Sequence, residues 1–246
     1  MALTRTKRGI AKGGRLLNGA PLGILILEAP YARIHGDLGN ATTWPFPVML
    51  RVVPGATPEK VVLKGAEGLL PVFIEQARDL VRLGAEAITT SCGFLSIFQR
   101  EIAEAVGVPV ATSSLLQVPW IQATLPRDKR VGIVTISKPS LTERHLVAAG
   151  VDPTTPVIGT EGGKEFFRVI VLGESDDMDI DLAEQDVVDA AKELVARDKS
   201  LGALLLECTN MAPYAARVQE ETGLPVYDIY SLITWFHAGI RPRRFQ

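Results

Sequence analysis

GAEAITTSC (Gly84–Cys92) and GALLLEC (Gly202–Cys208) are two copies of one pattern, in which a glycine opens an aliphatic run that ends at a cysteine. A glycine follows each cysteine at 15 residues and a proline at 17: Gly107 and Pro109 in the first copy, Gly223 and Pro225 in the second. A strand-like run, then room for a helix, then a second short run is typical of a βα unit in a parallel sheet. We infer that the chain contains an internal repeat and that the two cysteines occupy one structural position in two related halves.

Short aliphatic runs alternate with stretches of helical period along the rest of the chain, which predicts an α/β fold with parallel sheets. The predicted strands span residues 22–27, 48–53, 86–90, 108–112, 130–135, 156–159, 202–207 and 224–227. The clearest predicted helices span residues 70–83, 94–106, 139–149, 182–197 and 212–222. From the repeat, we expect residues 20–112 and 216–246 to form one α/β lobe, residues 113–215 to form the second, and residues 1–19 to be a basic N-terminal arm.

The composition excludes several function classes. Of the 246 residues, 47% are hydrophobic and 22% are charged, as in a soluble globular protein. The 26 Lys and Arg against 28 Asp and Glu give a net charge of −2, so there is no basic footprint for nucleic acid. No apolar run approaches the roughly 18 residues of a membrane span, and the arm lacks the apolar region of a secretory signal. We therefore expect a cytoplasmic protein without nucleic-acid or membrane partners.

Cys92 and Cys208 are the only cysteines, and no CxxC pair or histidine cluster accompanies them. The spacing therefore predicts neither a disulfide framework nor a metal site. Both cysteines lie at the predicted carboxyl end of a strand, just before a helix, where open α/β sheets bind ligands. The N–H groups and partial positive charge of a helix N-terminus bind a carboxylate and lower the pKa of a thiol. We therefore expect two reactive thiols and a small-molecule carboxylate substrate at this edge.

Two thiols from two facing halves suit proton transfer at one carbon from opposite faces. One cysteine abstracts the proton as a thiolate, and the other donates a proton as a thiol. Such a racemisation needs no cofactor, and the chain has neither a G-x-x-x-x-G-K-[ST] nor a G-x-G-x-x-G motif. We predict that Cys92 and Cys208 are catalytic, without metal or cofactor. We also predict that their sulfurs lie roughly 6 to 8 Å apart, too far for a disulfide.

The motifs resemble those of the aspartate/glutamate/hydantoin racemase superfamily. The resemblance rests on TSCG (Thr90–Gly93), ECTNM (Glu207–Met211) and the G-x-P strand in each half, and it covers residues 22 to 238. GDLGN (Gly36–Asn40) and WPFPV (Trp44–Val48) are similar to a less-characterised racemase-like branch. The resemblance implies two pseudo-symmetric α/β lobes, an active site in the cleft between them, and catalysis without pyridoxal phosphate.

The sequence departs from the glutamate racemases at three places. Those enzymes follow the first cysteine with Asn-Thr and the second with Thr-His, whereas here Gly93-Phe94 and Thr209-Asn210 follow. Their Asp-Ser pair after the first strand is replaced by Glu28-Ala29 and a longer loop that brings Asp37. These departures keep a two-thiol reaction but argue against glutamate itself as the substrate.

Eight residues near the strand ends are predicted to bind the substrate: Asp37, Asn40, Ser91, Gly93, Ser113, Thr135, Thr209 and Asn210. For Asp37 and Asn40, a purely structural role in a glycine-rich turn is an equal alternative. Strand alternation places Glu207 opposite Cys208, so we expect a paired buried carboxylate there, with a role in tuning Cys208 as the alternative.

Three functions from different classes remain. The first is a racemase or epimerase of an amino acid or related small carboxylate. The second is a decarboxylase or cis-trans isomerase of a small diacid on the same fold, which would depend unequally on the two cysteines. The third is a non-catalytic protein that binds small carboxylates. A homo-oligomer is compatible with each of them.

Overall fold

The computed structural model describes Ile10 and residues 13–245, and it contains two four-stranded sheets. The strands are β1 Leu22–Leu27, β2 Val48–Val53, β3 Ala87–Thr90, β4 Val110–Ala111, β5 Arg130–Thr135, β6 Val157–Gly159, β7 Leu201–Leu206 and β8 Val226–Tyr227. The α-helices are α1 Leu70–Leu83, α2 Gln99–Val106, α3 Val118–Thr124, α4 Glu143–Ala148, α5 Phe166–Ile170, α6 Ile180–Arg197, α7 Ala215–Thr222 and α8 Ile229–Ile240. Short 3₁₀ segments at Gly93–Phe98 and Ala212–Tyr214 lead into α2 and α7.

The two sheets have the same topology. Their strand orders are β2-β1-β3-β4 and β6-β5-β7-β8, and all pairs are parallel. The repeat explains this symmetry, because the carbonyl of each G-x-P proline accepts a hydrogen bond from the cysteine-bearing strand of its own copy. Ile88 N–H donates to Pro109 O at 3.0 Å, and Leu204 N–H donates to Pro225 O at 2.8 Å. The predicted α/β fold with two parallel-sheet lobes is confirmed.

The repeated glycines end the two helices that follow the cysteines. Gly107 and Gly223 lie in the left-handed region, with φ of 68° and 70°, and their N–H groups close the last turns of α2 and α7. A residue without Cβ adopts this conformation without steric cost, so a glycine at this position stops the helix and turns the chain back toward the sheet.

The central strands are buried on both faces. All six residues of β1 are buried, as are five of the six in β7, and both strands are almost purely aliphatic. A strand that is covered by helices on both sides needs such a continuous apolar run instead of alternation. The carboxyl ends of these strands therefore emerge from a rigid core, which fixes the position of the residues that follow.

The return to the first lobe occurs later than the predicted boundary at residue 216. Strand β8 pairs with β7, and α7 packs on α6, where Lys192 Nζ lies 2.8 Å from Glu221 Oε2. After β8, helix α8 joins the first lobe, where Ile233 packs in one core cluster with Leu22 of β1. The reason is the repeat itself: the strand after the G-x-P turn pairs within its own copy, so the chain stays in the second lobe through β8.

Most of the predicted N-terminal arm lies outside the described residues. Of the part that is described, Leu17 N–H donates to Leu83 O at 2.8 Å, and Arg15 pairs with Glu86. Within Ile10 and residues 13–245, no helix has the length and apolar character needed to cross a membrane.

Candidate active site

Cys92 and Cys208 lie at matching positions in the two lobes. Each lies two residues after the last residue of its strand. The main-chain carbonyl of each accepts a hydrogen bond from the N–H of the residue three positions later. Leu95 N–H donates to Cys92 O at 3.1 Å, and Met211 N–H donates to Cys208 O at 3.0 Å. Both thiols are free and line the same cavity between the lobes. The structure therefore brings the two predicted catalytic side chains together.

The cavity that the thiols share is small and mostly apolar. Its apolar and aromatic walls are Leu27, Tyr31, Pro58, Val62 and Phe94 from the first lobe, and Ile136, Ile170 and Val171 from the second. The remaining lining residues are Ser91, Gly93, Glu207 and Asn210. The volume is about 10 Å³, room for a single water molecule, so a substrate enters only when the walls move apart. Among the described residues, no Lys, Arg or His side chain lines it.

Burial raises the pKa of both thiols well above the usual range. The negative charge of Glu207 adds to this effect at Cys92 and at Cys208. The N–H groups of Phe94 and Asn210 lower the two pKa values but do not offset the burial. The expected low thiol pKa is therefore wrong for the closed cavity, because the loss of water costs a thiolate more than one N–H donor restores.

Glu207 lies on the same side of the chain as Cys208, whereas strand alternation predicts the opposite side. It lines the cavity together with Cys208, because β7 ends at Leu206 and strand alternation no longer applies beyond it. Glu207 is fully buried; its Oε2 accepts a 2.7 Å hydrogen bond from Thr135 Oγ1, and its Oε1 has no partner among the described residues. Burial raises the pKa of this carboxyl to about 7. The sequence predicts a paired carboxylate here, but no cationic side chain within Ile10 and residues 13–245 pairs with Glu207.

Gly93 leaves the room that this carboxylate occupies. A Cβ at residue 93 would collide with Glu207 Oε1 and would lie 2.6 Å from the Glu207 main-chain oxygen. Because a main-chain atom cannot move aside like a flexible side chain, we expect Gly93→Ala to lower the free energy of unfolding by about 1–3 kcal/mol. Urea titration measures this change. Gly162→Ala, which meets open space, is the matched control with little expected change, and an equally small effect at Gly93 would contradict the placement of Glu207.

The other predicted binding residues divide into three groups. Ser91, Gly93 and Asn210 line the cavity, while Thr135, Thr209 and Asp37 contact residues that line it. Ser113 and Asn40 instead cap 3₁₀ turns: Ser113 Oγ accepts from Leu115 N–H at 3.2 Å, and Asn40 Oδ1 accepts from Thr42 N–H at 2.9 Å. The structure thus gives Ser113 and Asn40 local structural contacts outside the cavity, and substrate contact by any of the eight stays a prediction.

The loop after β1 joins the second lobe through Asn210. The Asn210 amide donates to Tyr31 Oη at 3.1 Å and to Asp37, and Arg33 pairs with Asp37 at 3.2 Å. The Arg33 guanidinium also lies 4.6 Å from the centre of the Tyr31 ring. Tyr31 was missed in the sequence because its loop has no periodic pattern, and only the presence of the longer loop indicated that the site extends there.

An open groove adjoins the closed cavity and has a volume of about 200 Å³. It shares four wall residues with the cavity: Tyr31, Pro58, Ile170 and Val171. Its charged lining residues among those described are Glu28, Glu59 and Asp176. Lys64 pairs with Glu59 at 2.7 Å, which leaves Glu28 and Asp176 to make the mouth negative. The four shared side chains separate the groove from the cavity.

Comparison with known proteins identifies the family. The sequence is 30% identical over 230 residues to dimethylsulfoniopropionate lyase of Durusdinium sp. clade D, covering 89% of this chain and 75% of that protein. It is 30% identical over 228 residues to dimethylsulfoniopropionate lyase 7 of Emiliania huxleyi (strain CCMP1516), covering 89% of this chain and 67% of that protein. The chain belongs to the dimethylsulfoniopropionate lyase family. No protein-family model matches it.

Solved structures place this lyase-family chain in the fold of the Asp/Glu racemase superfamily. Arylmalonate decarboxylase superposes with a TM-score of 0.60 at 16% identity, covering 91% of this chain and 94% of that one. The aspartate racemase of Picrophilus torridus superposes with a TM-score of 0.58 at 13% identity, covering 93% and 96%. The fold that the resemblance of the cysteine motifs implies is confirmed, and the chain is an enzyme of this fold. The isomerase class is not confirmed, because the sequence relatives are lyases.

Proposed function

We propose that this protein is a lyase that acts on a small carboxylate with an onium group on its β-carbon, dimethylsulfoniopropionate above all. In this reaction a cysteine thiolate removes a proton from the α-carbon, and the electron pair of that C–H bond forms a C=C bond. The C–S bond of the sulfonium breaks, and its electron pair stays on sulfur. The products are acrylate and dimethyl sulfide, and the thiol holds the proton.

The charge of the groups that line the cavity is the main observation in support of this proposal. The acidic groups of the cavity are Glu207, the two thiols and Tyr31, and no cationic side chain lines it among the described residues. Arg33 packs on the Tyr31 ring from outside this lining and pairs with Asp37. A dicarboxylic amino acid would bring a second carboxylate into this cavity without a cation to pair with it. A sulfonium instead brings a positive charge inside apolar methyl groups, which suits the aliphatic walls and the aromatic rings of Tyr31 and Phe94.

A bound onium group would also lower the high pKa of the thiol next to it. Burial and the charge of Glu207 disfavour a thiolate in the cavity. A positive charge held next to the thiol stabilises the thiolate and lowers its pKa. The thiol thus becomes a base only when a cationic substrate is present. The negative mouth at Glu28 and Asp176 favours entry of the same kind of molecule.

The direct test is to incubate the purified protein with dimethylsulfoniopropionate and to measure dimethyl sulfide in the headspace and acrylate by NMR. We expect one equivalent of each product, without added metal or cofactor. The trimethylammonium analogue of the substrate should inhibit competitively on the order of tenfold more tightly than 4,4-dimethylpentanoate, its neutral isostere. No dimethyl sulfide, or equal inhibition by the two analogues, would count against the proposal.

A racemase is the second candidate, and the matching positions of the two thiols favour it. It predicts that α-hydrogens of an amino acid or hydroxy acid exchange with deuterium oxide from both enantiomers, without elimination. The same NMR experiment on a panel of amino and hydroxy acids separates the two functions. Binding of a carboxylate without any exchange or elimination would leave the non-catalytic alternative.

A further inference from the structure

The proposed elimination releases one proton per turnover, whereas a racemisation releases none. Dimethylsulfoniopropionate is a zwitterion, and its conversion to neutral dimethyl sulfide and the acrylate anion releases one proton. A racemase returns a proton to the same carbon, whereas the lyase must pass one to water in every turnover. A cysteine base in a closed cavity therefore needs a neighbouring group that accepts its proton.

We propose that Glu207 is that acceptor: it takes the thiol proton when substrate is bound and later releases it to water. In the first step the S–H bond breaks, the proton binds the Glu207 carboxylate, and a thiolate forms. The thiolate then takes the α-proton as the C–S bond breaks, which restores the thiol. Glu207 finally loses its proton to water as the walls open toward the outer groove. This inference rests on the proposed function.

The geometry of Glu207 supports the role. Its side chain is fully buried and lines the same cavity as both thiols. Thr135 holds Oε2 at 2.7 Å, whereas Oε1 has no hydrogen-bond partner in the described part of the chain, so one oxygen is fixed and the other is available. An ordinary structural carboxylate in a core would be paired on both oxygens or neutralised by a cation.

The other titratable groups at the cavity are less suited. They are Cys92 after β3, Cys208 after β7 and Tyr31 in the loop after β1; β5 contributes only the Thr135 hydroxyl. Burial raises the pKa of Tyr31 above its usual range. Its hydroxyl therefore keeps its own proton near neutral pH and cannot accept one from a thiol. The carboxyl pKa of about 7 lets Glu207 accept a proton and release it again at neutral pH. Moving a proton from thiol to Glu207 also keeps the net charge of the cavity unchanged, so no new charge is buried.

The decisive variant is Glu207→Gln, which keeps the shape and removes the acceptor. We expect kcat to fall about 10²- to 10³-fold, and the acid limb of the kcat/KM profile near pH 7 to disappear. The rate of thiol alkylation by iodoacetamide should rise in the same variant, because the charge that opposes a thiolate is gone. A slower enzyme with more reactive thiols is the expected signature.

A purely electrostatic or structural role predicts otherwise. If Glu207 only opposes the thiolate, kcat should rise together with alkylation, and that result would overturn the inference. Unchanged alkylation would also overturn it, because Glu207 would then not face the thiols. An active wild-type enzyme with full activity in Glu207→Gln would refute this inference alone, whereas an inactive wild-type enzyme would refute the proposed function as well.

Thr135→Val provides a second variant that keeps the carboxylate. The Thr135 hydroxyl lowers the pKa of Glu207, so its loss should move the acid limb of kcat/KM to higher pH. Circular dichroism and thermal unfolding of each variant check that it folds. An acid limb that stays at the same pH in a folded Thr135→Val enzyme would assign that limb to another group and overturn the role of Glu207.

Discussion

Cys92→Ser and Cys208→Ser should lower the rate of dimethyl sulfide release by very different factors. An elimination removes one proton from one face of the α-carbon, so one thiol is the base and the other only lines the site. We expect loss of the base to cost about 10²- to 10⁴-fold in kcat, and loss of the other thiol about tenfold or less. Headspace detection of dimethyl sulfide under saturating substrate measures both effects.

The surroundings of the two thiols already differ. The Cys208 thiol lies 3.5 Å from Asn210 Oδ1, which belongs to the network with Tyr31 and Asp37. The Cys92 thiol has the N–H of Phe94 as its donor and no side-chain hydrogen bond among the described residues. The two variants are each other's control, since the residues occupy one position in the repeat. Equal losses from both changes, together with α-hydrogen exchange from both enantiomers, would favour the racemase instead.

The fold was predictable because the repeat appears in the spacing as well as in composition. A glycine 15 residues after each cysteine ends a helix in the left-handed region, and the proline two residues later begins the return to the sheet. Both copies obey this rule, and the structure has the same strand order in both sheets. What the repeat could not predict is the final crossing: α8 lies beyond the repeated unit, and its docking on the first lobe depends on tertiary packing.

The candidate site was predictable only in part. Cys92, Cys208, Ser91, Gly93 and Asn210 follow strand ends, and the strand ends meet at one cavity. Side-chain direction beyond the last paired residue does not follow from alternation, which is why Glu207 was placed on the wrong side. The thiol pKa values also depend on how completely the cavity excludes water, and no local pattern records that.

Two departures from the glutamate racemase motifs contact each other in the structure. Asn210 stands where those enzymes have a histidine, and Asp37 lies in the longer loop that replaces their Asp-Ser pair. The Asn210 amide donates to the Asp37 carboxylate and to Tyr31. The two changes therefore belong together: the loop brings an aromatic ring to the cavity, and Asn210 holds the loop. Under the proposed function, this aromatic ring forms part of the wall that faces the onium group.

Glu207→Gln should make the protein more stable at alkaline pH while it makes the enzyme slower. The carboxyl pKa is about 7 in the folded protein against 4.5 in its ordinary range. A raised pKa means that the folded state binds the proton more tightly, so the contribution of Glu207 to stability is full below about pH 4.5 and is lost as the pH rises to about 7. Above pH 7 the buried charge costs about 3 kcal/mol of unfolding free energy, and glutamine, which does not ionise, avoids this cost.

The measurement is urea unfolding of wild type and variant at pH 4.5, 6 and 8. The difference in unfolding free energy should grow in favour of Glu207→Gln by about 3 kcal/mol over this range, whatever constant offset the amide introduces. Thr135→Val should act in the opposite direction and steepen the loss of stability, because the Thr135 hydroxyl that it removes favours the carboxylate.

A difference that stays constant with pH would mean that the Glu207 carboxylate is not desolvated in solution, and the proton acceptor would then lack its physical basis. A desolvated carboxylate with a pKa of about 7 would weaken the fold above that pH. Folding alone gives no reason for such a group beside two thiols, whereas a role in proton transfer does.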